Sequence, residues 1–256
     1  MDEPLRRFGL IGHPVGHSWS ARYFKEKWAF EGIGNCTYEL HDLPDVEQVL
    51  KLWDKPHWKG MNVTVPHKQT IIPLLDGLSG EAHAIGAVNT IAFTPEGRIG
   101  HNTDAEGFRR SIAPFLKSHH ERALVLGTGG SAAAVCHVLR SIGVHVTRVS
   151  RNAPSAQDVI RYADLKEEGI RTTPLIVNCT PVGMHPQVDF LPPFEPEALQ
   201  GLGDGHLVVD LVYNPRETRL LREASMLGAR TLGGLSMLEH QAEAAWNIWS
   251  VDSAEH

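Results

Sequence analysis

The sequence is short of cysteine, has no run of basic residues and no long apolar stretch, and each shortage closes a class of function. Cys36, Cys136 and Cys179 are the only cysteines, far apart and with no C-x-x-C pair. So sparse and odd a set points to reduced thiols in a cytoplasmic setting rather than to a disulfide framework. No cluster of Lys or Arg offsets the formal net charge of −6, so a nucleic-acid-binding surface is not expected. No apolar stretch approaches the roughly 18–20 residues that span a bilayer. The start, "MDEPLRRFGLIG", is acidic with a short apolar run and does not read as a signal peptide. Internal repeats and low-complexity segments are absent. Histidine is plentiful, yet without ligand spacing: Pro14 and Gly16 rule out the helix that would align His13 with His17, and His119-His120 sits in a polar connection. No carboxylate or cysteine joins either pair, so no metal is expected.

What is present is an ordinary globular composition, long enough for one large domain or two modest ones. Phe8–Gly12 reads as a strand. After the loop "HPVGHS", Ala21, Phe24 and Trp28 recur at helical spacing, with Ser18 or Ser20 as N-cap and Gly32 or Gly34 as the stop. "CTYELHDL" reads as a strand, "PDVEQVLKLW" as a helix opening with Pro44, and "GMNVTV" as a third strand broken by Pro66. "AVNTIAF" and "RIGHNTD" flank a "TPEG" turn, the pattern of a hairpin. "AEGFRRSIAPFL" reads as a linking helix, "PLIVNCT" and "HLVVDLVY" as strands. "SMLEHQAEAAWNIW" places Leu238, Ala242, Ala245 and Trp249 on one helical stripe, and the polar tail "SVDSAEH" is expected to fray. The alternation of strands and helices, with one antiparallel pair, is that of an α/β protein.

"RALVLGTGGSAAAVCHVLRSIGVHVTRVSR" gives strand, glycine turn, helix and strand, a complete βαβ unit. Gly127-Thr128-Gly129-Gly130-Ser131-Ala132 fits G-x-G-x-x-G/A in that setting. Gly127 permits the tight turn, Gly129 lets the backbone approach a pyrophosphate, and Ala132 allows close helix–sheet packing. The helix start then supplies N–H donors and partial positive charge. The following strand ends Ser150-Arg151-Asn152, with no acid before Asp158 to hold a ribose hydroxyl. Arg151 suits a 2′-phosphate, which favours NADP over NAD; the plain alternative is a solvated arginine at a strand end.

In the first half, polar side chains gather at strand ends and at the mouth of a helix. Ser18 and Ser20 flank Trp19. Asn62 and Thr64 alternate with Val63 and Val65 on one strand, and Lys68 follows at its tip, where an unpaired buried ammonium would be costly. Asn89 interrupts an apolar run, and "HNTD" sets Asn102 and Asp104 before the linking helix. Each has a structural alternative as a cap or turn residue. Together they outline the lip of an α/β site.

"GHPVGHSWSA", "NVTVPHK", "GAVNT", "NTD", "GTGGSAAA", "NCTPVGM", "DLVYNP" and "GGLSMLEHQA" occur in this order. The set resembles the shikimate dehydrogenase family from Phe8 to about Trp249. The resemblance implies an N-terminal substrate and catalytic domain over residues 1–104 and a Rossmann-type NADP-binding domain over 105–232. A C-terminal segment, 233–256, would return to the first lobe. It implies the reversible NADPH-dependent reduction of 3-dehydroshikimate to shikimate, on the route to chorismate and the aromatic amino acids, by a cytoplasmic monomer or homodimer. Ser18 and Ser20 would bind the substrate carboxylate with Tyr213, while Thr64, Asn89 and Gln241 would hydrogen-bond ring hydroxyls. Lys68 and Asp104 would be the catalytic pair. Thr180, Met184 and Gly234 would join the glycine turn and Ser150-Arg151-Asn152 around the cofactor. Gln241 lies beside Leu238 and Ala245 on its helix, an odd place for an amide without a partner. The segment "SRNAPSA" departs from an "NRT…R"-like pattern and leaves Arg151 as the only evident clamp on a 2′-phosphate. Cys179 reads as a packed small side chain, not a nucleophile. Two alternatives stand beside this reading: a quinate/shikimate dehydrogenase using NAD as well, and a non-catalytic nucleotide-sensing homologue.

Overall fold

The computed structural model describes residues 4–16, 18–152, 158–195 and 197–251. The expectations for His17, for residues 153–156 of "SRNAPSA" and for the last residues of the tail lie outside the described residues. The chain divides into two compact units, Met1–Thr103 with Ala242–His256, and Asp104–Gln241.

In the first unit the elements run β1 (Arg6–Gly12), α1 (Ser20–Glu31), β2 (Cys36–Asp42), α2 (Val49–Trp53), β3 (Trp58–Val63), β4 (Gly77–Leu78), α3 (Gly80–Ile85), β5 (Thr90–Thr94) and β6 (Gly97–His101). They build one sheet in the order β2-β1-β3-β5-β6-β4. β1 pairs parallel with β2 and β3, and β5 pairs antiparallel with β3 and β6. The expected hairpin is therefore present, with β6 running in the direction of β3. One core gathers Ile11, Val49, Trp58, Met61, Ile71 and Ile91. The other is aromatic: Phe8, Phe24 and Trp28 pack with Ala242, Ala245, Trp246 and Trp249 from the far end of the chain. The Trp249 indole lies 5.1 Å from the Phe8 ring and donates its N–H to the Ile91 carbonyl at 3.0 Å. A Cβ on Gly60 would fall on that indole, which is why the strand carries no side chain there. Burying each such aromatic contributes roughly 1.5–3 kcal/mol.

Several local expectations need correction. Neither Ser18 nor Ser20 caps α1 with its side chain; the N-cap is Trp19, and Ser20 is the first helical residue. Gly32, in the left-handed region, ends that helix. Pro44 does not open the next helix: Asp45 accepts the Glu47 N–H and starts a short 3-10 turn before α2. β3 stops at Val63, so Thr64 does not share a strand face with Asn62, although its N–H still reaches the Ile11 carbonyl at 2.9 Å. Val65 is 64% exposed and its bond to Pro66 is cis. The chain turns there, and Lys68 sits in the turn rather than on a strand tip. β4 and α3, unread in the sequence, fill the stretch after it; Ser79 caps α3 and Gly86 ends it.

The second unit continues with α4 (Thr103–Ile112, its first residue still in the first unit), β7 (Arg122–Leu126), α5 (Gly130–Ser141), β8 (His145–Ser150), β9 (Val159–Arg161), α6 (Glu167–Arg171), β10 (Leu175–Asn178), β11 (Leu207–Asp210), α7 (Arg219–Met226) and β12 (Arg230–Gly233). The last helix, α8, covers Leu235–Val251. Its sheet order is β12-β11-β10-β7-β8-β9 with every pairing parallel. Strands such as "LIVN" and "LVVD" are buried throughout, as expected for a sheet covered on both faces. The order reverses at β7, which lies between β10 and β8. In a doubly wound sheet the ligand crevice opens at that point. On α8 Met237, Gln241, Ala242, Ala245, Trp246 and Trp249 are buried, so three of the four residues of the expected stripe lie inward and only Leu238 is half-buried.

Candidate functional site

In the first unit, β1, β3 and β6 end on the same side of the sheet on which β5 begins. That edge collects every candidate residue of the unit. Ser18 and Ser20 follow β1, and the Ser18 hydroxyl accepts the Ser20 N–H at 3.3 Å. Thr64 follows β3; its methyl occupies the space a Cβ on Gly12 would need, beside the Val65 carbonyl. Glycine at the end of β1 thus lets the two loops close on each other. Lys68 is half-buried in its turn, with its carbonyl accepting the Val88 N–H at 2.7 Å. Asn89 precedes β5 and is buried.

Behind this edge lies a neutral polar network. Tyr38 donates to Asn62 Oδ1 at 2.7 Å, and Asn62 Nδ2 donates to Thr90 Oγ1 at 3.2 Å and to the Asn89 carbonyl at 3.3 Å. Asn89 Oδ1 accepts the Thr103 N–H at 2.6 Å, and Asn89 Nδ2 donates to Thr103 Oγ1 at 2.9 Å. Burial pushes the Tyr38 phenol upward, against the opposing effect of a hydrogen bond from Ser20. Asn102, read as a turn residue, donates to the Ala87 carbonyl at 2.8 Å.

In the second unit Asp104 lies on α4 and Gln241 on α8, and the remaining candidate residues stand at or beyond the carboxyl ends of the parallel strands. After β7, Gly127 has φ +111°, a conformation open mainly to glycine. Gly129 is different. Its φ of −79° suits any residue, and a Cβ there would meet no protein atom within 4 Å. Neither backbone nor neighbours require glycine at 129, and the space beside it at the start of α5 is open. Ala132 is buried as close helix–sheet packing demands. Ser150 ends β8, and Arg151 and Asn152 are exposed beyond it. Asp158, the first acid after β8, is held by Arg148 at 2.9 Å and Arg140 at 2.6 Å. Hydrogen bonding from Arg148 keeps its carboxyl below the usual range. Arg161, the next arginine, pairs with Asp164 at 2.8 Å. The group after β8 therefore offers Arg151 and no unengaged acid, the charge pattern that suits a phosphate better than a ribose hydroxyl.

Between β10, β11 and α7 a second network forms around a carboxylate. Asp210 Oδ1 accepts from Asn178 Nδ2 at 2.9 Å and from the Val212 N–H at 3.0 Å, and Oδ2 accepts from Thr218 Oγ1 at 2.6 Å. Asn178 Oδ1 in turn takes both the N–H and the hydroxyl of Thr180, at 3.0 and 2.7 Å. Asp210, Asn178 and Thr218 have no exposed surface, and burial pushes the Asp210 carboxyl up to about 6 against its three hydrogen bonds. The network fixes the loops that carry Thr180 and Tyr213. Met184 is 39% exposed in the loop after Thr180. Packing requires glycine at 234, since a Cβ there would strike the Leu211 backbone. The Gln241 amide is not partnerless: it donates to the Leu238 carbonyl of its own helix at 2.9 Å.

The family model for the shikimate dehydrogenase substrate binding domain matches residues 10–91. A shikimate dehydrogenase (NADP(+)) of Shouchella clausii is 34% identical, covering 96% of this chain and 93% of the relative. This chain belongs to the shikimate dehydrogenase family. The solved shikimate 5-dehydrogenase of Thermus thermophilus, in complex with NADP(H) and shikimate, superposes with a TM-score of 0.82 at 31% identity. It covers 96% of this chain and 94% of that one. A quinate dehydrogenase of Corynebacterium glutamicum in complex with NAD gives 0.77 at 28% identity, covering 97% and 95%. The family's α/β architecture thus extends over nearly the whole chain.

Among the residues placed at these two edges, the sequence reading did not single out Tyr38, Thr90, Thr103, Asn178, Asp210 or Thr218. A signal existed for two of them. Asn178 and Asp210 each close a wholly apolar run, "LIVN" and "LVVD", where a polar end must find partners. Among the described residues no group of three or more His, Cys, Asp or Glu is placed to hold a metal, and no helix is long and apolar enough to cross a membrane. His13 contacts Asp42 at 2.5 Å, and His119 bonds the Gly205 carbonyl at 3.0 Å.

Proposed function

We propose that this protein is an NADP-dependent shikimate dehydrogenase, interconverting 3-dehydroshikimate and shikimate in the supply of chorismate and the aromatic amino acids. The observation that carries the reading is similarity over more than nine-tenths of the chain to relatives named shikimate dehydrogenase (NADP(+)). The residues fit the cofactor: Gly129 leaves room at the start of α5, and Arg151 follows β8 without a competing acid. NADPH, when bound, supplies the hydride that reduces the C3 carbonyl.

The chain's own groups do the rest. Ser18, Ser20 and Tyr213 hold the substrate carboxylate, and Thr64, Asn89 and Gln241 bond its ring hydroxyls. Lys68, as an ammonium beside the C3 oxygen, stabilises the developing alkoxide and gives it a proton. Asp104 orients Lys68 and shares the same hydroxyl. The glycine turn Gly127–Ala132 would hold the pyrophosphate, and Ser150, Arg151 and Asn152 the adenosine phosphate. Thr180, Met184 and Gly234 would serve the nicotinamide end. We place the protein in the cytoplasm as a monomer or homodimer.

The test follows absorbance as NADP⁺ is reduced by shikimate in the purified protein; absence of turnover would sink the reading and favour a nucleotide-sensing homologue. Lys68→Ala is expected to lower kcat by about 10²–10⁴-fold, the usual worth of a general acid, with an unchanged melting temperature. A second reading, a quinate/shikimate dehydrogenase using NAD, draws on the likeness to the Corynebacterium enzyme and on the lone Arg151. Comparing kcat/KM for shikimate and quinate with each cofactor decides between them.

A further inference from the structure

We propose that Thr103 is a positioning residue that fixes the orientation of the Asn89 carboxamide toward substrate. The inference rests on the reading of Asn89 as a substrate ligand.

An asparagine side chain has an acceptor end and a donor end of nearly the same shape, and it serves a hydroxyl predictably only when neighbours decide which end is which. Thr103 contacts both ends. Its backbone nitrogen, whose N–H can only donate, lies 2.6 Å from Asn89 Oδ1 and so marks that atom as oxygen. Its Oγ1, which can accept or donate, lies 2.9 Å from Asn89 Nδ2 and 3.2 Å from Oδ1, and tethers the carboxamide in the orientation that the N–H sets. Thr90 Oγ1, 3.2 Å from Thr103 Oγ1, supports the hydroxyl from behind and itself receives Asn62 Nδ2. Asn89, Thr90 and Thr103 are all at least 97% buried, so water does not substitute freely for a lost partner. A turned or loosened carboxamide would offer a substrate hydroxyl the wrong group, or the right one at the wrong angle.

Thr103→Val keeps the shape and the N–H bond and removes only the hydroxyl. The expected result is a rise in KM for shikimate of roughly five- to twentyfold, the worth of one buried hydrogen bond. KM for NADP⁺ stays within twofold, and Thr103→Ser restores the parental value. In an Asn89→Ala background the same change adds nothing further, because the two act as one unit. A parental KM for shikimate in folded Thr103→Val overturns the proposal, as does a parallel rise in both KM values or failure of serine to restore. Should the valine variant not fold, Thr103→Ala, which leaves more room, gives the same readout. Absence of shikimate turnover in the unaltered protein would instead overturn the underlying reading, so the two failures are distinguishable.

Discussion

Each unit hides a polar network behind its candidate residues, and the two are built on different chemistry. In the first, the neutral amides and hydroxyls of Tyr38, Asn62, Asn89, Thr90 and Thr103 bond one another. In the second, a single carboxylate, Asp210, gathers three donors at once, with no cation among them. A neutral network spreads its cost over several weak bonds and has nothing to titrate near neutrality. An acid-centred one concentrates strong bonds on one atom pair and pays in desolvation. The first should therefore be robust to pH and tolerant of single losses, the second neither.

The largest effect that could break this contrast is on stability. Asp210→Ala strips three buried donors of their acceptor and is expected to cost roughly 3–5 kcal/mol in chemical denaturation. Asn62→Ala, in the neutral network, should cost roughly 1–3 kcal/mol. If the asparagine variant lost as much as the aspartate variant, the distinction would fail.

A smaller effect sharpens it. The Asp210 carboxyl is raised in the folded state from 3.8 to about 6. The unfolded chain therefore ionises first, and the stability this group contributes is fully present below pH 3.8 and lost as pH rises through about 6. Asp210→Asn retains Oδ1 as acceptor and lets Nδ2 face Thr218 Oγ1, but has no such slope. Its stability relative to the parent should climb by up to roughly 3 kcal/mol between those values and then level off. A difference that stays flat with pH would show the carboxylate to be as comfortable buried as in water.

The smallest stability effect belongs to Gly129→Ala. With an ordinary φ and no neighbour within 4 Å, the methyl should change stability by about 0.5 kcal/mol or less. It should nevertheless raise KM for NADP⁺, since the backbone there is read as the approach to the pyrophosphate. An unaltered KM would remove the glycine turn from the cofactor site.

Much of this was legible in the sequence because long signals agree with one another. β7, the glycine turn, α5 and β8 form one run in which apolar strand, positive-φ glycine and helical periodicity all point the same way. The hairpin β5–β6 was equally plain from its turn. Elements of two to six residues, such as β4, α3, β9 and α6, escaped because so short a stretch carries too few periodic positions to speak. The end of β3 was misplaced for a different reason: Val65 looks like a strand residue, but the regular ladder ends at Val63, and although the Val65 carbonyl still accepts the His13 N–H at 2.9 Å its side chain is exposed. The candidate residues were visible as polar groups at strand ends. Their supports were not, because Thr103 and Asp210 matter through partners 14 and 32 residues away, Asn89 and Asn178.

The aromatic core of the first unit joins Phe8 to Trp249, so its two halves are synthesised with the whole of the second unit between them. A nascent chain will have emitted every residue of the second unit before the wall that closes the first exists. During synthesis the sheet of the first unit thus waits for a helix made after the whole of the second.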